Sequence, residues 1–158
     1  MKISSNTLNV LRNFSDINQN ILFKTGKVLS TMSTMKNIMA RAEVTEEFEQ
    51  EFGVYDLPEF LRALDSFQAP VLNFNGTSNL RIKDEKSTLS ARYAFADKTT
   101  LVTPQKEITM PDKAVSFTLK NNDYESVKKL YTNLNLPDIA FKGEKGKIKL
   151  EALDKKNS

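Results

Sequence analysis

The side chains of this sequence that could do chemistry are carboxylates, hydroxyls and amines, because histidine and cysteine are both absent. The chain therefore lacks the commonest general base and has no thiolate for catalysis, disulfides or metal binding. Asp84 and Glu85 are adjacent acids, but no third ligand at a suitable spacing supports a metal site. We predict no catalytic residue, no metal and no cofactor, and an enzyme that works through carboxylates alone is the weakest hypothesis.

The positive charge is carried mainly by lysine, with 18 lysines and 5 arginines against 20 acidic residues. Residues 1–96 are balanced, with 11 basic and 11 acidic residues, whereas residues 111–158 carry 10 lysines and 7 acids. Lysine contacts phosphate as a mobile point charge, while reading the base edges of nucleic acids relies on bidentate arginine. The excess fits either weak contact with a polyanion or a surface made soluble by lysine, and composition alone favours the second.

The apolar residues indicate a folded protein without a membrane segment. Their fraction of 39% is enough for a packed core, and they recur throughout the chain. No apolar run is long enough for a transmembrane helix, and the N-terminal residues lack the apolar block of a signal peptide. These patterns predict a cytoplasmic location and no membrane partner.

The elements that would position the charged side chains follow from apolar periodicity. The predicted helices cover residues 5–18, the stretch that Asp56 caps with Pro58 in its first turn, and residues 122–133. The predicted strands cover residues 21–24, 28–32, 38–44, 47–55, 71–75, 80–83, 89–95, 115–120, 139–142 and 147–151.

The predicted elements repeat in the order strand, helix and three strands, and the third copy lacks its last strand. This order predicts an α+β fold with helices on one face of antiparallel sheets. Residues 97–111 contain two prolines and no periodicity, so they are predicted to be a connector. We expect a first domain at residues 1–110, made of two units plus the connector, and a partial second domain at residues 111–158. A coincidental βαβ-rich fold that mimics the repeat is the alternative.

Three segments resemble a known family: MKISSNTLNVLRNFSDINQNILFKTGK, VYDLPEFLRAL and NLRIKDEKSTLSARYAFAD. They look like the sliding clamps, or DNA polymerase processivity factors, of T-even-type bacteriophages. The likeness runs from Met1 to about Asp154 and keeps the order of elements. It implies the DNA-clamp fold of repeated βαβββ units and a homotrimeric ring around duplex DNA without sequence specificity. It also implies a tethered DNA polymerase, an ATP-driven clamp loader, a clamp that hydrolyses nothing itself, and a role in late transcription.

A subunit of this family has four such units, whereas this sequence ends within the third. The resemblance therefore predicts a C-terminally incomplete clamp, either a truncated product or a short relative that completes itself otherwise. The edge that pairs with the next subunit of the ring would then be missing.

The resemblance gives a role to basic residues on the helix faces opposite the apolar stripes. Arg12, Arg62, Lys128 and Lys129 lie there and are predicted to face DNA and contact its backbone weakly. Any surface helix carries charge opposite its apolar stripe, so a solvated face is the alternative for each residue. Three acids share these faces: Asp16, Glu59 and Glu125. The acidic stretch 43–51 would lie on the outer wall, where it repels DNA, or form a solvated edge strand.

The family also implies a hydrophobic pocket near the connector that receives the peptide tail of a partner. Leu101, Val102 and Pro104 are predicted to line this pocket, or else to pin the connector to the sheet. Pinning is favoured for Ile108. A non-catalytic phage protein-interaction or structural module is the alternative to the clamp.

Overall fold

The computed structural model describes residues 1–74, 76–106, 112 and 115–156. The helices within these ranges are α1 (Ser5–Ile17), α2 (Leu57–Asp65) and α3 (Asn121–Asn133). The strands are β1 (Ile21–Phe23), β2 (Gly26–Met32), β3 (Met39–Phe48), β4 (Phe52–Val54), β5 (Pro70–Phe74), β6 (Asn79–Asp84), β7 (Ser90–Ala94), β8 (Asp138–Glu144) and β9 (Lys147–Leu153). The chain divides into two compact units, which we name the N-terminal lobe (residues 1–107) and the C-terminal lobe (residues 108–158).

All strand pairs within the described ranges are antiparallel. In the N-terminal lobe, β1 pairs with β4, β2 pairs with β3, and β5, β6 and β7 form a three-stranded sheet in that order. In the C-terminal lobe, β8 and β9 form a hairpin. The predicted α+β class with antiparallel sheets is therefore confirmed.

The first two helices begin where their capping residues predict. The Ser4 hydroxyl accepts a hydrogen bond from the Thr7 amide at 3.2 Å and so caps α1. The Asp56 carboxylate accepts one from the Glu59 amide at 2.7 Å, and Pro58 lies in the first turn of α2. These bonds satisfy amides that have no partner inside the helix, and each such cap typically contributes about 1 kcal/mol.

Aromatic side chains form the centre of the N-terminal lobe. Phe23 of β1 stacks on Phe52 of β4, with ring centroids 4.4 Å apart and planes 4° from parallel. Phe48 of β3 and Phe60 of α2 approach the ring of Phe23 at 5.0 and 6.5 Å. All four side chains are buried, and each aromatic pair adds roughly 0.5–1.5 kcal/mol beyond its burial. One cluster therefore fixes α2 against three strands.

The C-terminal lobe has the same kinds of element but no such core. None of its described residues is buried, and α3 has no side-chain cap at Lys120. Phe117 and Phe141 contact each other with ring centroids 5.7 Å apart, yet both are exposed.

Two predicted strands are wrong. Residues 47–55 do not form one strand, because β3 ends at Phe48 and β4 begins at Phe52. The chain changes its pairing partner here, from β2 to β1, so it leaves one ladder before it joins the other. Residues 115–120 alternate in sequence but form no strand, and no described strand pairs with them.

Candidate nucleic-acid and partner interfaces

The predicted DNA-facing arginines lie on the exposed side of two helices that pack together. Leu11 and Phe14 of α1 and Phe60 and Leu64 of α2 point into the core, so helical periodicity places charged residues on the opposite side. An exposed ion pair of 2.8 Å joins Arg12 of α1 to the carboxylate of Asp65, at the end of α2. The structure therefore brings the two helices together at their charged faces as well as through the core.

Arg12 is a less free cation than its sequence position predicts. Besides the ion pair with Asp65, its guanidinium donates a hydrogen bond to the amide oxygen of Asn9 at 3.4 Å. An exposed pair of this kind contributes little stability, but it lowers the positive charge that α1 offers to a phosphate. No signal in the sequence pairs residue 12 with residue 65.

Arg62, Lys128 and Lys129 are exposed, and none of them forms an ion pair with a described residue. Arg62 lies in the last turn of α2, where a positive charge also complements the helix dipole. Lys128 and Lys129 are neighbours on α3 of the C-terminal lobe. The four predicted residues are thus divided between two adjacent helices of one lobe and a single helix of the other.

The N-terminal end of α1 is held by a carboxylate from β3. Glu46 accepts hydrogen bonds from the Ser4 amide and from the Thr7 hydroxyl. Burial acts to raise the pKa of Glu46, but these hydrogen bonds outweigh it and lower the pKa to about 2. Glu46 is therefore ionised at neutral pH and fixes the helix that carries Arg12.

The acidic stretch 43–51 is divided between two faces. Glu46 points to α1, whereas Glu43, Glu47 and Glu49 are exposed. Glu51 forms an ion pair with Lys98 at 2.5 Å, at the start of the connector. Sequence reasoning treated these acids as one surface and missed the two that bind other elements.

The connector is attached to the N-terminal lobe through Leu101 and Val102. A single turn of 3-10 helix at Lys98–Thr100 leads into Leu101, whose side chain is buried against Gly53. A Cβ on Gly53 would lie 2.7 Å from Leu101 Cδ1 and 2.9 Å from the Ala96 carbonyl oxygen. Gly53 is therefore needed for this close approach.

Two asparagines hold the backbone of Val102. The buried amide of Asn18 donates to the carbonyl oxygens of Met32 at 2.8 Å and Val102 at 3.0 Å. The side-chain oxygen of Asn20 accepts from the Val102 amide at 3.0 Å. Sequence reasoning missed this pair of asparagines. An Asn-x-Asn sequence at a helix end can form hydrogen bonds with backbone groups of another segment, but the local sequence does not identify that segment.

Pro104 is half-buried, and Ile108 lies outside the described residues. Within the described ranges, no group of three or more acidic side chains comes together in a way that could hold a metal ion. None of the helices in these ranges is long and apolar enough to cross a membrane.

Comparisons with known proteins identify the class. Residues 3–103 match the family model described as DNA polymerase processivity factor. Proteins named sliding clamp are similar to the whole chain: that of Vibrio phage KVP40 is 34% identical over 163 residues, which cover 100% of this chain and 73% of that protein. The sliding clamps of Escherichia phage RB69 and Enterobacteria phage T4 are 30% and 28% identical over 156 residues, 98% of this chain and 68% of each.

The fold and these matches define a processivity factor of the sliding-clamp type. The chain belongs to the DNA polymerase processivity factor family. The resemblance to T-even-type clamps is confirmed, and the clamp function is supported over the structural-module alternative.

Proposed function

We propose that this chain is a subunit of a ring that encircles duplex DNA without sequence specificity and tethers a DNA polymerase to it. The observation that carries the proposal is the family match over residues 3–103, which lie in the N-terminal lobe. The exposed cations of α1 and α2, on the side opposite the aromatic core, support it.

A clamp must hold DNA while it slides, so its contacts with phosphate have to be few and weak. Each neutralised phosphate releases counterions and steepens the salt dependence of binding. Arg12 already shares its charge with Asp65, which leaves Arg62 as the stronger cation of the pair. We propose that Arg12, Arg62, Lys128 and Lys129 contact the DNA backbone in this sparse manner.

Partner binding is proposed at the connector. Leu101 is buried against Gly53 and serves to pin the segment, while Val102 and Pro104 are only half-buried. The pinned segment holds the side chains of Val102 and Pro104 at the lobe surface, where a partner's peptide tail could contact them.

The finer parts of the proposal follow from the resemblance. They are a ring of three copies, opening by an ATP-driven loader, no catalysis by the clamp itself, action in the host cytoplasm and a part in late transcription. The ring number has a direct test, since sedimentation equilibrium of a three-subunit ring gives three times the chain mass. A mass equal to one chain at micromolar concentration would contradict the ring.

The function is tested by primer extension on a singly primed circular template, with the polymerase and clamp loader of the same phage and ATP. Addition of the chain should lengthen the products made in one binding event. Arg62→Glu and the double variant Lys128→Glu/Lys129→Glu should shorten them, because like charge repels the duplex. Lys24→Glu/Lys27→Glu reverses two exposed charges that belong to no helix and is the matched control. Products that do not lengthen when the wild-type chain is added would sink the proposal.

A further inference from the structure

The three-stranded sheet of the N-terminal lobe has one face in the core and one in solvent. Leu80 and Ile82 of β6 are buried, and the ring of Tyr93 on β7 lies 4.9 Å from Phe60 of α2. Side chains alternate along a strand, so the residues between them point away from the helices. These residues are Arg81, Lys83 and Arg92, all exposed, and we name them the outer basic face.

The register places like charges together. Arg81 of β6 lies directly opposite Arg92 of β7, and Lys83 follows two residues along the same face. Like charges at directly opposite positions destabilise a sheet. None of the three cations has an ion pair or side-chain hydrogen bond with a described residue, so nothing in the described lobe offsets this cost.

The surroundings do not neutralise the face. The positions that pair with these residues or lie next to them across the sheet are uncharged: Val71, Asn73, Ser90 and Ala94. Two charged residues lie at the margin, Lys2 opposite Val71 and Glu85 two residues beyond Lys83, but they form an ion pair with each other at 2.6 Å. Glu47 and Glu49 line a cavity beside Asn73, but neither forms an ion pair with these arginines. Arginine is also scarce in this chain, and two of its five arginines, Arg81 and Arg92, lie opposite each other on this face. Arginine binds carboxylates with two parallel N–H bonds, which makes the pair a suitable anion receptor.

The face is held in place before any ligand binds. The carboxylate of Asp84, at the end of β6, accepts hydrogen bonds from the amides of Gln68 at 3.0 Å, Ala69 at 3.3 Å and Lys86 at 2.9 Å. These bonds connect the turn between β6 and β7 to the segment that follows α2. A preorganised receptor loses less entropy on binding.

We propose that the outer basic face docks an extended acidic segment of a partner protein. Arg81 and Lys83 are spaced by two residues of a strand, roughly 6.6 Å, which is also the spacing of alternate side chains in an extended peptide. The choice of a peptide rests on the proposed function, in which DNA lies on the helix side of the lobe. A duplex on that side cannot reach residues that point the opposite way.

The test is a fluorescence anisotropy titration of the full chain with a labelled peptide of alternating glutamate and serine. Binding should be visible at low salt, should weaken as salt rises, and should be absent for the matched peptide of alternating glutamine and serine. Arg81→Ala/Arg92→Ala should weaken binding by at least about tenfold, because two charge-assisted contacts are lost. Lys24→Ala/Lys27→Ala removes two exposed charges elsewhere in the lobe and should leave the affinity within about twofold.

The folding of the double arginine variant is checked by its thermal midpoint, which should equal or exceed that of the wild type once the repulsion is removed. No binding of the acidic peptide by the wild type overturns the inference. Tighter binding of a short DNA duplex that the same two substitutions abolish also overturns it, in favour of an outer nucleic-acid site. The peptide titration contains no DNA or polymerase, so its failure is distinguishable from a failure of processivity in the extension assay.

Discussion

The two lobes are built from the same kinds of element but differ in what those elements bury. In the N-terminal lobe, the apolar faces of α1 and α2 and of the strands meet around the aromatic cluster. In the C-terminal lobe, α3 and the β8–β9 hairpin have no buried residue within the described ranges. A helix of this length is marginal in water without tertiary packing. The comparison teaches that the sequence pattern predicts where a helix or strand forms, while burial against other elements gives that helix or strand its stability.

The helix ends differ in the same direction. Ser4 and Asp56 cap α1 and α2 with side-chain oxygens, whereas Lys120 at the start of α3 makes no side-chain cap. Local opening should therefore be easier in α3 than in the other two helices.

The largest difference between the lobes is expected for a deleted aromatic ring. Phe52→Ala removes a buried ring stacked on Phe23 and should cost about 3–5 kcal/mol of unfolding free energy. Phe141→Ala removes an exposed ring that contacts Phe117 and should cost about 1 kcal/mol or less. Urea unfolding followed by circular dichroism measures both, and equal losses would break the comparison.

Replacing a glycine by alanine in each lobe sharpens the comparison between the lobes. In Gly53→Ala the new Cβ meets Leu101 and the Ala96 backbone, so we expect a loss of about 1–3 kcal/mol. In Gly143→Ala of β8 the nearest atom is Ile148 Cδ1 at 4.0 Å, and the change should be neutral or slightly stabilising. Thermal midpoints of the two variants test this, and a tolerated Gly53→Ala would show that Leu101 can move.

The next largest loss of stability is expected when the buried side-chain amide of Asn18, which holds the connector, is removed. Asn18→Ala deletes the donor to the Met32 and Val102 carbonyls and should cost about 1–3 kcal/mol. It should also speed hydrogen exchange at the Val102 amide, because Asn18 orients Asn20 through a 3.1 Å bond. Asn13→Ala, at an exposed site in the helix that Asn18 follows, is the control and should change stability by about 0.5 kcal/mol or less. Unchanged exchange at Val102 would argue against the attachment.

The smallest effect concerns two carboxylates and depends on pH. The pKa of Glu46 is about 2 in the folded chain and near 4.5 when unperturbed, so its contribution is complete above pH 4.5 and is lost as pH falls through about 2. Discounted for partial exposure, it is worth about 1 kcal/mol at neutral pH. Glu46→Gln should therefore flatten the fall in stability over this range.

In the C-terminal lobe, a hydrogen bond from Lys142 lowers the pKa of the half-buried Glu151 carboxyl. Glu151→Gln should change the same pH profile far less than Glu46→Gln. Unfolding free energies at several pH values between 7 and 2 measure both variants. A wild-type profile as flat as that of Glu46→Gln would show that the Glu46 carboxylate does not stabilise the folded chain.

Much of the N-terminal lobe could be predicted from its sequence because its signals are local. The apolar spacing of α1 and α2, the caps at Ser4 and Asp56, and Pro58 in a first turn all agree with one another. The error over residues 47–55 has a different cause. Alternation there is real, but the change of pairing partner between β3 and β4 is a property of the sheets and not of the segment.

The candidate site was less predictable, because its decisive contacts are distant in sequence. Arg12 finds Asp65, and Asn18 finds Val102, which lies 84 residues further along the chain. The pairing of Arg81 with Arg92 depends on the register of β6 and β7. Periodicity predicts which residues share a helix face. It does not predict which of their charges are engaged in ion pairs.

The attachment of Val102 to Asn18 has a consequence for synthesis on the ribosome. The last attachments of the N-terminal lobe cannot form until residue 102 has left the exit tunnel, because the Asn18–Val102 bond and the Gly53–Ala96 bridge both need the end of the lobe. At about 5–20 residues per second, the nascent chain spends seconds with the four rings of the aromatic cluster made but the last strands and the connector still undelivered. The connector is therefore also the last piece of the lobe to be delivered, and its arrival completes the fold.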